Sequence, residues 1–315
     1  MKPVTRRTFL SKSTLGVASL TAGASLFTPS GATLAADPSN SGRNGMLALK
    51  TRRRRETTAG SGEFEVTQQT VDWKGAQTAV VIVDMWDKHW CVGATRRVGQ
   101  VAPQMNAFAN VARDRGALII HAPSSCTEPY KDHPARKLAL GAPAAATLPK
   151  DIGEWCYQIK NETNGKYPID QTDGGCDCEP KCEGGSPWRR QVAAIKIHDV
   201  DAISDSGVEI WNLIEHRGIR NVMIFGVHTN MCVLGRPFGL RQMSQNGKNT
   251  LLVRDLTDTM YNSKAWPYVN HFQGTDLIIE HIEKFVCATT TSASLLGDKP
   301  FRFPEDARPL KTAGL

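Results

Sequence analysis

Several things are missing from this chain of 315 residues, and each absence removes a class of function. No segment approaches the length of apolar chain needed to cross a bilayer, so no stretch is a candidate for a spanning helix. No internal repeat is visible, which excludes solenoids and propellers. No glycine-rich loop follows a strand in a form that cradles phosphate, so nucleotide signatures are absent too. An excess of one charge is also missing from most of the chain, although the formal net charge is +7, from 38 basic and 31 acidic residues. Residues 1–36 carry four basic and no acidic residues, and residues 37–70 carry six and four. That leaves 28 against 27 from residue 71 onward. A body so close to neutral gives no electrostatic footprint for nucleic acid.

What the chain does have begins with an address. Thr5-Arg6-Arg7-Thr8-Phe9-Leu10 has the form of a twin-arginine motif; a weakly apolar stretch from Leu15 to Phe27 follows, and Ala35-Ala36 offers a small-residue cleavage site before Asp37. Residues 1–36 are therefore expected to be an export signal. It implies the twin-arginine machinery as a partner and a periplasmic or otherwise extracytoplasmic location. Residues 37–70, with the run Arg52-Arg53-Arg54-Arg55 in a Ser/Gly-flanked setting, are expected to be a flexible basic linker. A hydrolytic or binding domain over 71–300 and a C-terminal tail over 301–315 complete the organisation.

Within that domain, strand and helix patterns alternate. Strands are expected at 79–85, 117–122, 192–197, 221–227 and 249–255, with a last one within 285–290, and helices at about 101–115, 205–217 and 230–246. The alternation predicts an α/β fold of three αβα layers, with a Rossmann-like parallel sheet of about six strands. A long loop-rich insertion over 124–190 interrupts it.

Three strand ends carry chemistry. Asn221 to Val227 is a buried strand that runs through a turn into Thr229-Asn230-Met231-Cys232, so Cys232 falls in the first turn of a helix beyond the carboxyl end of a strand. Open α/β sheets bind ligands there, and the helix dipole lowers a thiol's pKa there. The other reading of Cys232 is a small buried hydrophobe. Asp84 ends the strand Ala79 to Val83, and Lys196 ends the apolar run from Val192. A carboxylate, an ammonium and a thiol converging on one crevice suit nucleophilic catalysis with proton return to a leaving amine. Lys131 is the alternative lysine.

Val83-Asp84-Met85, then Lys196 with Asp201-Ala202-Ile203-Ser204, then Gly226-Val227-His228-Thr229-Asn230-Met231-Cys232-Val233, resemble the isochorismatase-like cysteine hydrolases, over roughly Val71 to Gly297. The resemblance implies a catalytic triad of Asp84, Lys196 and Cys232, a cis peptide at Val227–His228, and an oxyanion hole from the amides of His228 and Cys232. Nicotinamidases in this superfamily carry an Asp-x-His metal pattern after the second strand; here Ile120-His121-Ala122-Pro123-Ser124-Ser125 lacks it. The expectation is a hydrolase acting on an amide or ureido C–N bond of a small molecule without metal or other cofactor, and assembling as a homo-oligomer. An exported, non-catalytic binding or scaffold protein on the same fold is the alternative.

Trp86, His89 and Trp90 follow the first strand and are expected to line the substrate pocket, while Asn230 and Arg236 flank the nucleophile, where they either orient a substrate carboxylate or make helix-surface contacts. The insertion supplies Tyr130, Trp155 and Trp188 as candidate closing residues, and two placements for it are open, a lid over the crevice or an oligomer contact. Its Cys176-x-Cys178-x3-Cys182 is not a standard zinc spacing. Disulfides to Cys126 or Cys156, free thiols and a metal site all remain open for it.

Overall fold

A computed structural model describes residues 45–163 and 166–309. The expected export signal, including Thr5 to Leu10 and Ala35-Ala36, lies outside the described residues.

The described residues open with a hairpin, β1 (Met46–Glu56) and β2 (Phe64–Lys74), paired antiparallel along its whole length. This corrects the expectation of a flexible linker over this part of 37–70. The arginine run lies on β1, where Arg52 Nε sits 2.8 Å from Glu283 and Arg54 reaches Glu280 and Glu283 at 3.3 and 3.4 Å. Leu47 and Leu49 are fully buried on alternate positions of the same strand. A composition typical of a linker thus folds as an edge hairpin because its charges have buried partners and its apolar residues alternate.

The parallel strands follow: β3 (Thr78–Val83), β4 (Leu118–Ala122), β5 (Ala202–Ile203), β6 (Asn221–Val227), β7 (Asn249–Asp258) and β8 (Ala288–Thr290). The eight strands form one sheet in the order β2-β1-β8-β7-β6-β3-β4-β5, with β1 antiparallel to β8 and the remaining six parallel. β3 and β6 are buried along their full length, because helices cover both faces. On one face Val80 and Ile82 pack with Val98, Val101, Met105 and Phe108 of α1 (Val92–Asp114) and with Leu295 of α6 (Ala293–Leu296). On the other, Val81 and Val83 pack with α3 (Gly207–His216), α4 (Leu240–Gln245) and α5 (His271–Phe285). These are the three layers expected.

Two elements differ from expectation. The apolar run 192–197 is not a strand: only Ile195 in it is buried, Ala193 and Ala194 being exposed, and the sheet instead gains the two buried residues of β5. The helix expected over 230–246 is broken into a π-helical turn, Thr229–Val233, and α4, with Pro237 and Gly239 between them. Gly239 admits no side chain, since a Cβ would lie 2.8 Å from the Val233 carbonyl oxygen.

The insertion contains α2 (Pro134–Leu140) and two short 3₁₀ turns, and is otherwise irregular. Glu162 fastens it to the body: both oxygens take bonds from Arg241 of α4 at 2.8 Å, and His281 of α5 meets one of them at 2.8 Å.

Candidate active site

β3 and β6 are neighbours in register, Val83 opposite Gly226. Gly226, at φ +128°, is obligatory, because a Cβ would stand 2.0 Å from the Val83 carbonyl oxygen. The two chains therefore leave the sheet side by side, one into Asp84 and the other into the Cys232 turn, at the carboxyl ends where parallel sheets place ligands. Asp84 adopts φ +48°, a left-handed conformation that aspartate tolerates better than most residues. The Val227–His228 peptide is cis, as the resemblance implied.

The turn is held from β7. Thr229 Oγ1 donates to the Asp258 carbonyl at 2.9 Å and lies 2.7 Å from Thr257 Oγ1, which in turn donates to the Gly226 carbonyl. Asn230 clamps the same turn, accepting from the Met260 amide and donating to the Met260 carbonyl and Gln171 Oε1, each at 3.0 Å. Its side chain is engaged in building the site rather than turned to a ligand.

Asp84 is fully buried. One carboxylate oxygen accepts the Ser124 amide at 2.7 Å, and the other lies 3.3 Å from Arg236 Nε. Cys232, 8 % exposed, stands within hydrogen-bonding reach of both Asp84 and Arg236. Burial pushes the Asp84 carboxyl above its ordinary range, against the pull of Arg236 and the Ser124 amide. Burial also pushes the Cys232 thiol well up, and the charge of Asp84 adds to this while Arg236 opposes it. The helix-end effect expected from the sequence is outweighed, so in the closed site the sulfur holds its proton.

The structure brings together Asp84 and Cys232 but not Lys196. Lys196 is exposed; its amide bonds Asn106 on α1, and its ammonium donates to the Ala193 carbonyl at 3.1 Å. Its neighbour Ile195 packs on the α1 face of the sheet, whereas Cys232 belongs to the opposite apolar layer. Without a strand over 192–197, nothing carries the ammonium to the crevice. Lys131 is exposed as well and pairs with Glu128. The cation beside Asp84 and Cys232 is Arg236, whose amide bonds the Cys232 carbonyl at 3.0 Å. The available signal was its spacing, four residues after the cysteine, which a turn of helix converts to proximity.

The aromatic residues divide into groups. Trp86 is buried, donates to the Ser124 carbonyl at 3.1 Å and stacks on Trp188 with ring centroids 4.4 Å apart. His89 stacks on Trp86 and Trp188 and meets the His228 ring edge-on at 4.9 Å. Burial lowers His89 to about 4 and also lowers His228 well below its ordinary value, so both rings are neutral. Among the described residues, His228 Nε2 is buried with no hydrogen-bond partner. Trp155 lies across Gly235, where a Cβ would come within 2.5 Å of its ring, and the Arg236 guanidinium sits 5.4 Å from the ring centroid. Tyr130 receives the Gln191 amide at 3.0 Å, bracing the two ends of the insertion. Trp90 packs instead with Cys91 and Cys176.

Of the two placements open for the insertion, its contacts with the segment around Cys232 are those of a lid. Gln171 and Tyr167 contact Asn230 at 3.0 and 3.2 Å, and the Cys156 amide bonds the Gly235 carbonyl at 2.8 Å.

No protein-family model and no curated protein matches this chain. Among solved structures, it is similar to a cysteine hydrolase from Pseudomonas syringae pv. phaseolicola 1448A, at 14 % identity and a TM-score of 0.43, over 70 % of this chain and 91 % of that one. An isochorismatase family protein from Burkholderia thailandensis gives 14 % and 0.39 over 70 % and 94 %, and N-carbamoylsarcosine amidase from Thermoplasma acidophilum gives 12 % and 0.36 over 69 % and 96 %. At such identities and scores the likeness says nothing of chemistry.

Proposed function

We propose that this chain is a cysteine hydrolase that cleaves an amide or ureido C–N bond of a small molecule through a thioester, without a metal ion in the reacting centre. The observation that carries the reading is the meeting of a thiol, a carboxylate and a guanidinium at the carboxyl ends of two adjacent parallel strands, with the Trp155 ring beside the guanidinium. Cys232 passes its proton to Asp84 as its sulfur attacks the substrate carbonyl. Arg236 stabilises the charge moving between sulfur and carboxylate. The amides of His228 and Cys232 are the donors for the developing oxyanion; one such donor contributes on the order of 3 kcal/mol to a barrier. The tetrahedral intermediate collapses, the C–N bond breaks, and Asp84 returns its proton to the leaving amine. Water, deprotonated by Asp84, then cleaves the thioester and regenerates the thiol.

Arg6-Arg7 and the residues after them support export by the twin-arginine route to an extracytoplasmic site, testable by cell fractionation with and without an Arg6→Lys, Arg7→Lys pair.

The test of the chemistry is ammonia release from primary amides and ureido acids and ring opening of cyclic imides, with intact-mass detection of an acylated enzyme. Turnover with at least one class, abolished in Cys232→Ala with the fold retained, supports the reading. A folded wild-type protein inert to all three classes would instead favour a non-catalytic binding protein.

A further inference from the structure

Apart from Pro180 and Pro187, the stretch 171–187 of the insertion contains no aliphatic or aromatic residue, so it has little but its cysteines to bury. It is nonetheless placed against the start of α1, and the contact is made of sulfur. Cys91, Cys176, Cys178 and Cys182 put their four Sγ atoms within 4.8 Å of one another.

We propose that these four cysteines form a tetrathiolate site for one zinc ion, which fastens the insertion to the N-terminus of α1. Its geometry is that of a closed structural site. A zinc–sulfur bond of about 2.3 Å sets the edge of a regular tetrahedron at about 3.8 Å; Cys91 and Cys178 are 3.7 Å apart. No pairing is singled out, as two disulfides would require: Cys91 is within reach of Cys176 and Cys178, and Cys182 is within reach of the same two. A four-iron cluster, which hangs each thiolate on a different iron, would hold the sulfurs farther apart.

Backbone amides point at the sulfurs. The Gly93 amide points at Cys178 Sγ at 3.3 Å and the Val92 amide at Cys182 Sγ at 3.5 Å, and Cys176 receives the amides of Cys178 and Cys182. Backbone donors of this kind orient metal-bound sulfur and offset its charge. A Cβ on Gly93 would sit 3.2 Å from Cys178 Sγ, so glycine allows the close approach. Cys91 is the residue before the first turn of α1, at the positive end of its dipole. Arg97, six residues on, is buried and paired with Asp258 at 2.7 Å, and its positive charge also acts on Cys91. The fourth ligand lies 85 residues before Cys176, which is why the spacing of the local three did not read as zinc.

The experiment is elemental analysis of the purified full chain, combined with mercurial titration and a non-reduced peptide map. About one zinc per chain is expected, released by modification of four thiols; Cys178→Ser should drop it to under about a tenth, while Cys126→Ala keeps it. If Cys178→Ser does not fold, the stoichiometry and the four-thiol release in the wild type decide alone. Disulfides among these four cysteines, iron in place of zinc, or a folded wild-type chain without metal would each overturn the proposal.

Discussion

Arg236 follows Cys232 by one turn, and its Nε lies 3.3 Å from Oδ2 of the buried Asp84. Cation and nucleophile thus travel on one segment, and the carboxylate comes from the neighbouring strand. A single displacement of 232–236 would disturb both partners of Asp84 together.

Asp84→Asn should abolish turnover yet make Cys232 easier to alkylate. Asn tolerates the left-handed backbone at this position, so the fold should persist. Removing the carboxylate removes a charge that holds the thiol up, and leaves Arg236 to favour the thiolate. Iodoacetamide labelling followed against pH should show its midpoint move down relative to wild type; an upward or unchanged midpoint would separate Asp84 from Cys232.

Arg236→Met should lower kcat/KM by roughly 10²–10³, the scale of losing one preorganised electrostatic contact. Arg236 pulls the Asp84 carboxyl down against burial, so its loss raises that group further. The base form is then lost at a higher pH, and the acidic limb of the rate profile should shift upward. Arg236→Lys should recover part of the rate. Lys196→Met should turn over near the wild-type rate; a crippled Lys196→Met would return that lysine to the site.

Gly235→Ala should act at a distance through Trp155, because the added methyl group would stand 2.5 Å from the indole ring. Overpacking of this kind costs about 1–3 kcal/mol. Its catalytic effect should be partly relieved by Trp155→Leu in the same chain, measured as a double-mutant cycle on kcat/KM and Tm. Additive losses would mean that residue 235 and Trp155 are not coupled.

Acid should loosen the insertion before neutral or alkaline pH does. Hydrogen bonds from His281 and Arg241 offset the cost of burying Glu162 and hold its carboxyl at about 2. A depressed carboxyl contributes stability above its unfolded value, near 4.3, and loses it as pH falls towards the folded value. Unfolding free energy should therefore decline between about pH 4.3 and 2. Glu162→Gln should remove part of that slope while lowering stability at pH 7 by about 3–5 kcal/mol, since Arg241 and His281 would stay buried without their anion. A slope unchanged by the substitution would mean that other carboxylates govern it.

The parallel core was legible because both faces are covered: β3 and β6 read as unbroken apolar runs, and Asp84 and Cys232 stand where those runs stop. Lys196 misled because its apolar run has the composition of a strand and only one buried residue. Arg236 was visible in the sequence but had the ordinary look of a charge on a helix surface. The hairpin was hidden by its arginines, whose partners Glu280 and Glu283 lie more than two hundred residues away. Cys91 was hidden in the same way, since no local pattern ties it to a cluster beyond residue 170.

The hairpin carries a consequence for the order in which the molecule can assemble. Its link to the rest of the sheet is β8, paired antiparallel through Arg52 and Thr289. During synthesis β1 and β2 emerge first, but their docking edge emerges almost last. A nascent chain that ends before residue 288 carries a ribbon with no strand to pair with, held by α5, and a β7 with one side unpaired. The sheet closes only after release of the C-terminal strand, so truncations near residue 287 should be more prone to aggregate than deletions of the hairpin itself.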